Sequence, residues 1–413
     1  MNILTVPNSR ITKRFSYGDA LTNLLSVGIP ETKSLPEKTI LLLVRDLLRL
    51  GWSFKTSSKH NFELAPPGIY SKDIVREGMS FARQEVITQN RSWIDAHIET
   101  VRRNLSSGID ALRSEIRPEI EVCETQRQND LFRMCRYYWS SPASEYVGRR
   151  IRVLVRDGGL PEKPLIGIAA IGSSIIHIPD RDKWIGWDIK TRTERIIYLM
   201  DAYVVGALPP YSDLLGGKLI AYILASNELR QIYKKKYAKT KTIINGRKRI
   251  SDLALIMTTS LYGLNSSQYN RLKYKKSLLC RPIGTTSGFG TIHISNETFS
   301  AMRELVLNEG YDISHKFGDG PNWRMRVVRM ACDLLKLDPD AILKHSFKRG
   351  LFAVPLAINW KGYLNGKVKK LIYRDLPLKK LTNHWQTRWL SMRKQNKEVV
   401  ARVAKFVPEQ FKI

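Results

Sequence analysis

Two apolar runs, one turn apart, set what this chain can fold into. Residues 151–155 (IRVLV) and 165–171 (LIGIAAI) are of strand length, rich in β-branched side chains, and flank Asp157-Gly158-Gly159-Leu160-Pro161. Glycine and proline at that density belong to a turn. The link is too short for a parallel crossover, so the two strands must run antiparallel. Strand-like segments continue at 174–178 and 184–187, and residues 195–200 lead into a further strand at 202–208. Closely spaced strands of this kind form a meander. A loop at 209–215 then opens a helix at Gly216-Gly217-Lys218 that runs through Leu224 or beyond, residues 253–258 read as a strand, residues 268–274 as a helix, and residues 281–294 as turn and strand. Helices inserted late into an antiparallel sheet define an α+β core.

The flanks are helical. Residues 35–51 (LPEKTILLLVRDLLRLG) carry leucines at helical spacing, with Pro36 near the start and Gly51 as a stop. A short hairpin is expected over 52–64, one long helix over 71–105 and another over 109–115. Beyond residue 296, a helix over 298–309 stops at Gly310, and residues 321–337 form a basic helix. The expected division is a helical N-terminal region (1–130), an α+β core (131–296) and a basic helical C-terminal extension (297–413).

The charge is lopsided. Lys+Arg number 68 against 38 Asp+Glu, a formal +30. Residues 1–130 hold 18 basic and 16 acidic side chains, whereas 131–413 hold 50 and 22. Residues 344–406 carry 16 Lys+Arg and, as acids, Asp375 and Glu398. Segregated positive charge releases condensed counterions from a polyanion, so nucleic acid, DNA foremost, is the expected partner. An anionic lipid surface is disfavoured, because no basic amphipathic helix stands beside a lipidation signal. A merely solvated basic face on an adaptor is the bland alternative.

Cys123, Cys135, Cys280 and Cys332 are far apart and form no CxxC pair, and the seven histidines show no ligand spacing. Neither a disulfide scaffold nor a metal or other cofactor is expected. The N-terminus lacks a signal-peptide core and the apolar stretch 164–179 is too short to span a bilayer, so a cytoplasmic, membrane-free protein is expected.

Several segments recur in a definite order: 154–161 (LVRDGGLP), Ile185-Gly186-Trp187-Asp188, the helical stretch 219–237, 258–263 (TTSLYG), 266–270 (SSQYN), 317–324 (FGDGPNWR) and 355–360 (PLAINW). From about residue 130 to the C-terminus this series resembles the DruA family of the Druantia anti-phage defence system, which has relatives near transposases. The resemblance implies a role in bacterial antiviral defence beside other proteins of that system, and it brings no catalytic residues with it. At fold level, the succession 204–208, 216–224, 253–258 and 268–274 is similar to GNAT-type acyltransferases, implying a GNAT-like mixed sheet. Their Arg/Gln-x-x-Gly-x-Gly/Ala phosphate loop is absent, and Gly216-Gly217 is what remains of it.

Candidate site residues follow from chemistry. Arg230, Lys234, Lys235, Lys236, Lys239, Lys241, Arg247, Lys248 and Arg249 form a run without one acid, and Tyr233 and Tyr237 lie within it. Such cations contact phosphates, and tyrosines can stack on bases. Arg326 and Arg329 lie three apart on the basic helix, with Lys348 and Arg349 beyond it. Gly216, Gly217 and Lys218 at a helix start could hold an anion, or the glycines could simply ease packing. Asp180, Asp188 and Lys190 resemble a PD-(D/E)xK nuclease pattern, in which two carboxylates hold Mg2+. Tyr269, with Ser266 and Ser267, occupies a polar loop after a strand, without a base beside it. Whether the chain is an enzyme stays open at this point; the alternative to a binding protein is a GNAT-like transferase or a metal-dependent nuclease acting on nucleic acid.

Overall fold

The two apolar runs become antiparallel neighbours in a seven-stranded mixed sheet. The computed structural model describes residues 4–7, 34–56, 61–68, 70–139, 148–238, 251–265, 268–314, 321–345 and 347–413. Its strands are β1 (Leu4–Pro7), β2 (Ser53–Thr56), β3 (Asn61–Ala65), β4 (Pro118–Val122), β5 (Arg150–Asp157), β6 (Leu165–Ser173), β7 (Leu199–Ala207), β8 (Leu255–Ser260), β9 (Lys273–Tyr274), β10 (Ser277–Leu278), β11 (Arg281–Thr285) and β12 (Gly350–Pro355). The chain forms two compact units: residues 1–89, 139–145 and 287–348 make the first, and residues 90–138, 146–286 and 349–413 the second.

In the second unit the strand order is β11-β12-β8-β7-β6-β5-β4. Every pairing is antiparallel except β7 with β8, where Leu199 faces Leu255. A parallel pair needs a crossover, and the helices Gly216–Ile223 and Asn227–Tyr237 supply it. The central strands are apolar at successive positions because both faces are covered. Ile256, Phe352 and Val354 join a cluster with Ile220, Tyr222, Leu381 and Trp385. Leu255, Met257 and Ala353 enter another cluster with Ile185, Trp187, Trp360 and Leu364. The architecture is α+β with a mixed sheet. Unit one carries a small antiparallel sheet, β1-β3-β2, and the helices Leu35–Arg49, Lys72–Gln89, Asn296–Asn308 and Pro321–Leu335.

Several local expectations are corrected. Residues 184–187 are not strand: Pro179–Ile185 is a helix, with Pro179 in its first turn, Asp180 and Asp182 at its positive end, and Gly186 closing it at φ 88°. Residues 174–178 are not strand either, because the Arg181 guanidinium takes the carbonyls of Ile175 and Ile176. Residues 268–274 are not helical. Arg271 and Lys275 adopt positive φ, Gln268 donates to the Val205 carbonyl and Asn270 to that of Leu264, and the chain turns into the β9–β10 ladder. The GNAT-like succession therefore lacks its second helix. The stretch 71–105 splits at Asn90 into Lys72–Gln89 and Arg91–Arg102. The stretch 219–237 splits at Ser226, whose hydroxyl accepts from the Leu229 N–H and restarts the helix. Within the C-terminal third, β12 joins the central sheet.

Candidate nucleic-acid interface

Charge follows the compact units. The first unit contains 20 basic and 17 acidic residues, whereas the second contains 48 and 21, so +27 of the +30 lies there. Many of that unit's acids are engaged with backbone and hydroxyl groups. Asp157 accepts from the Arg117 and Gly159 N–H groups, Asp201 from Ile175 N–H, and Asp180 from Thr285 N–H. Glu228 accepts from Leu378 N–H, and Asp252 from the Tyr363 hydroxyl. A carboxylate fixed on a backbone donor is already partly compensated. Ion pairs do form elsewhere: Arg156 with Glu121, Lys163 with Glu119, Arg181 and Arg192 with Asp182, and Lys380 with Asp375.

The helix Asn227–Tyr237 presents part of this surplus. Its apolar face buries Leu229, Tyr233 and Tyr237, which leaves Lys234, Lys235 and Lys236 exposed in its last turn. Cations there also favour the helix dipole. The expected base-stacking tyrosines are core residues instead: Tyr237 donates to the Arg150 carbonyl, and Tyr233 accepts from Arg149. Arg230 is half-buried with its guanidinium 4.1 Å above the Tyr373 ring. Lys236 is held below the ordinary lysine range by partial burial and by Arg150 and Arg152, against the opposing pull of Glu124. Arg150 and Arg152 on β5 thus extend the patch. Reading the chain segment by segment missed them, since they alternate with core valines and isoleucines. Lys239, Lys241, Arg247, Lys248 and Arg249 lie outside the described residues.

A further basic loop carries Lys367, Lys369 and Lys370, all exposed. Asn359 pins it, donating to the Lys370 carbonyl and accepting from Ile372 N–H. In the sequence these lysines registered as part of an acid-poor stretch and no more.

The remaining candidates fall in both compact units. Arg329 is exposed and 5.8 Å from the Phe289 ring centroid, and Arg326 is half-buried on the same helix. Lys348 is exposed, and the half-buried Arg349 ties its N–H to Thr286. Asp180 anchors β11, while Asp188 is an exposed N-cap accepting from Thr191 N–H, beside an exposed Lys190. Each of these two carboxylates thus accepts from a backbone N–H, Asp180 from β11 and Asp188 from the start of its own helix. No group of three or more His, Cys, Asp or Glu that could hold a metal occurs among the described residues. Tyr269 is buried against Phe352, and burial pushes its phenol up to about 12, so it is a core residue; Ser266 and Ser267 lie outside the described residues. The four cysteines are buried free thiols.

At the Gly216 helix start, Gly216 N–H donates to Tyr211 and Lys218 N–H to Leu215. This takes two donors away from any anion. A Cβ on Gly216 would stand 2.7 Å from the Tyr211 carbonyl oxygen, so the glycine serves close packing. Lys218 is buried, donates to the Asn270 carbonyl and lies 4.4 Å over the Trp389 ring. Burial, then Arg271 and Arg388, lower its ammonium to about 8. The unfolded chain therefore binds this proton more tightly, and the residue's contribution to stability rises between pH 8 and 10.5. Against Lys218→Met, the wild type should gain about 2 kcal/mol between pH 7 and 10.5, less than the full shift because solvent screens part of the field. Chemical denaturation of both proteins at the two pH values measures that difference.

The geometry can now be set beside known proteins. A family model described as Druantia protein DruA matches residues 70–366. The curated Druantia protein DruA of Escherichia coli (strain UMEA 4076-1) is 37% identical over 331 residues, covering 79% of this chain and 81% of that protein. This chain belongs to the DruA family. Membership points to a component of a bacterial anti-phage defence system. No solved structure matches.

Within the DruA-matched span, the ordered segments mostly build the sheet unit. Asp157 of 154–161 fastens the β5 turn, and the Trp187 indole donates to the Leu364 carbonyl. Trp360 stacks on Trp184 at 4.5 Å. Among the described residues no helix is long and apolar enough to cross a membrane.

Proposed function

We propose that this DruA-family chain binds nucleic acid, DNA foremost, through the basic surface of its sheet unit and acts beside other proteins of its defence system. The observation carrying this reading is the coincidence of charge with fold: +27 lies in one unit, where many acids are engaged by backbone donors. Lys234, Lys235, Lys236 and Arg150, with the Lys367–Lys370 loop, provide exposed cations that can sit on phosphates. Lysines act there as point charges, giving affinity without base selectivity. The helical N-terminal region is the part of the chain assigned in this proposal to the partners that membership of a multi-protein system implies.

Fluorescence anisotropy with duplex and single-stranded oligonucleotides across a salt series tests the proposal. Six to ten phosphate contacts cost roughly 10³–10⁵ in affinity between 50 and 200 mM salt. A flat response over that range would reject it. The ratio of duplex to single-strand affinity identifies the preferred form.

A further inference from the structure

Single apolar side chains on a surface are ordinary, but two that face each other across a fixed piece of backbone call for a reason. Ile358 and Ile372, in the sheet unit, are 71% and 59% exposed. They sit just beyond β12, where Ala357 bridges Tyr373 in antiparallel register. In that register Ile358 and Ile372 are directly opposite, and their side chains share one face. Neighbouring side chains alternate, and the fully buried Ala357 shows which face is turned inward. The backbone is held on both sides. Ile358 N–H donates to the Ile372 carbonyl at 2.8 Å, Arg374 N–H to that of Leu356 at 2.9 Å, and Ile372 N–H to Asn359 Oδ1 at 2.9 Å. The pair is presented to solvent on a firm support.

The chain around this pair carries positive charge alone. Residues 356–374 contain Lys361, Lys367, Lys369, Lys370 and Arg374 and no acid, and all four lysines are exposed. Asn359 ties the lysine loop to the isoleucines, since its side chain bonds both the Lys370 carbonyl and the Ile372 N–H. Arg195 reaches the same loop, with a guanidinium nitrogen 3.0 Å from the position that a Cβ on Gly366 would take. A partner that covers the isoleucines must therefore also accept several cations. An apolar protein surface would have to strip those lysines of water without pairing them. An anionic lipid surface rewards the broad apolar face of an amphipathic helix, whereas two branched side chains are the size of wedge that enters between base pairs.

Duplex DNA offers phosphates along its rim and apolar base faces inside its stack. We propose that Ile358 and Ile372 form a wedge that enters a base step of duplex DNA and kinks it, with the lysines at 361 and 367–370 on the flanking phosphates. This rests on the reading that the sheet unit binds nucleic acid, and it adds the form of the ligand and the way it is deformed. Unstacking a step costs free energy that a mismatch has already given up, so the wedge favours duplexes that are weak at one point.

Anisotropy of the full chain with continuous and centrally mismatched short duplexes, together with energy transfer between labels at the duplex ends, tests this. The wild type should bind the mismatched duplex about tenfold more tightly, and saturation should raise energy transfer through a bend of about 20–90°. With Ile358→Ser and Ile372→Ser combined, the preference should fall below about twofold and the bend should vanish, while the salt slope, which counts phosphate contacts, stays the same. Both positions are exposed, so the serine protein should melt with the wild type. Leucine at both positions should restore preference and bend. Equal affinity of the wild type for the two duplexes, an unbent duplex at saturation, or a serine protein that still bends DNA overturns the wedge. In each case salt-dependent binding would leave the nucleic-acid reading standing, as would salt-dependent binding confined to single strands, which also overturns the wedge. Absence of any salt-dependent binding removes both. Binding to phosphatidylserine vesicles that the serine protein loses, with DNA behaviour the same in both proteins, overturns the wedge in favour of a lipid surface.

Discussion

Replacing Lys234, Lys235 and Lys236 together by glutamine is expected to weaken nucleic-acid binding about 100-fold at 0.15 M salt and to reduce the log–log salt slope by about 3. The magnitude follows from counterion release. Each phosphate contact contributes a slope of about −0.9, so at 0.15 M it carries roughly 0.7 log units of affinity, and three contacts carry about two. Folding should survive. All three side chains are exposed, and the apolar face of Asn227–Tyr237 is held by Leu229, Tyr233 and Tyr237, which the substitutions leave alone. Losing three cations from the last turn costs the helix dipole about 1 kcal/mol in all. Anisotropy titrations of both proteins at four salt concentrations give affinity and slope together. An unchanged slope with reduced affinity would mean that the lysines act through helix stability and touch no phosphate.

Which parts of this molecule could be read in its residues follows from how local their causes are. The 151–155 and 165–171 strands were legible because apolar runs around an Asp-Gly-Gly turn have one arrangement open to them. The Leu35–Arg49 helix was legible because Pro36 and Gly51 mark its ends within the sequence itself. Residues 174–178 were misread because Ile175, Ile176 and Ile178 look like a strand, and what fixes that loop is Arg181, which takes two loop carbonyls. Tyr233 and Tyr237 were assigned to bases for a similar reason. Their spacing places them on one helix face but says nothing of which face, and contacts from residues 149 and 150 settle it. The imbalance of charge was visible at once. Its concentration in one compact unit was not, since that unit is assembled from three separated stretches of chain.

Asp157→Ala should be the most damaging single substitution in the sheet unit, lowering stability by about 3–5 kcal/mol. Asp157 is fully buried and gathers four donors: the Ser114 hydroxyl at 2.7 Å, the Arg117 N–H at 2.9 Å, the Gly159 N–H at 2.9 Å and the Tyr211 hydroxyl at 2.8 Å. They come from the turn after β5, from the Ser114–Arg117 segment before β4 and from the loop before the Gly216 helix, so one carboxylate ties three separate pieces of chain together. Truncation leaves buried donors facing an empty space, and that desolvation cost is larger than any one bond's net value. Asn is no rescue, because its NH2 group would point at donors; Asp157→Asn should still cost about 2 kcal/mol or more. Tyr211 supplies an internal reporter. Burial, and after it the Asp157 charge, hold its phenol well above the ordinary range, so removing the charge should bring its ionisation down. Thermal melts should fall by roughly 6–20 °C for the alanine variant, given about 2–4 °C per kcal/mol in domains of this size. Nucleic-acid affinity of whichever variant stays folded in the cold should match the wild type, because this carboxylate organises the turn and faces no ligand. A melting temperature within about 1 °C of wild type would show that the four donors find other acceptors.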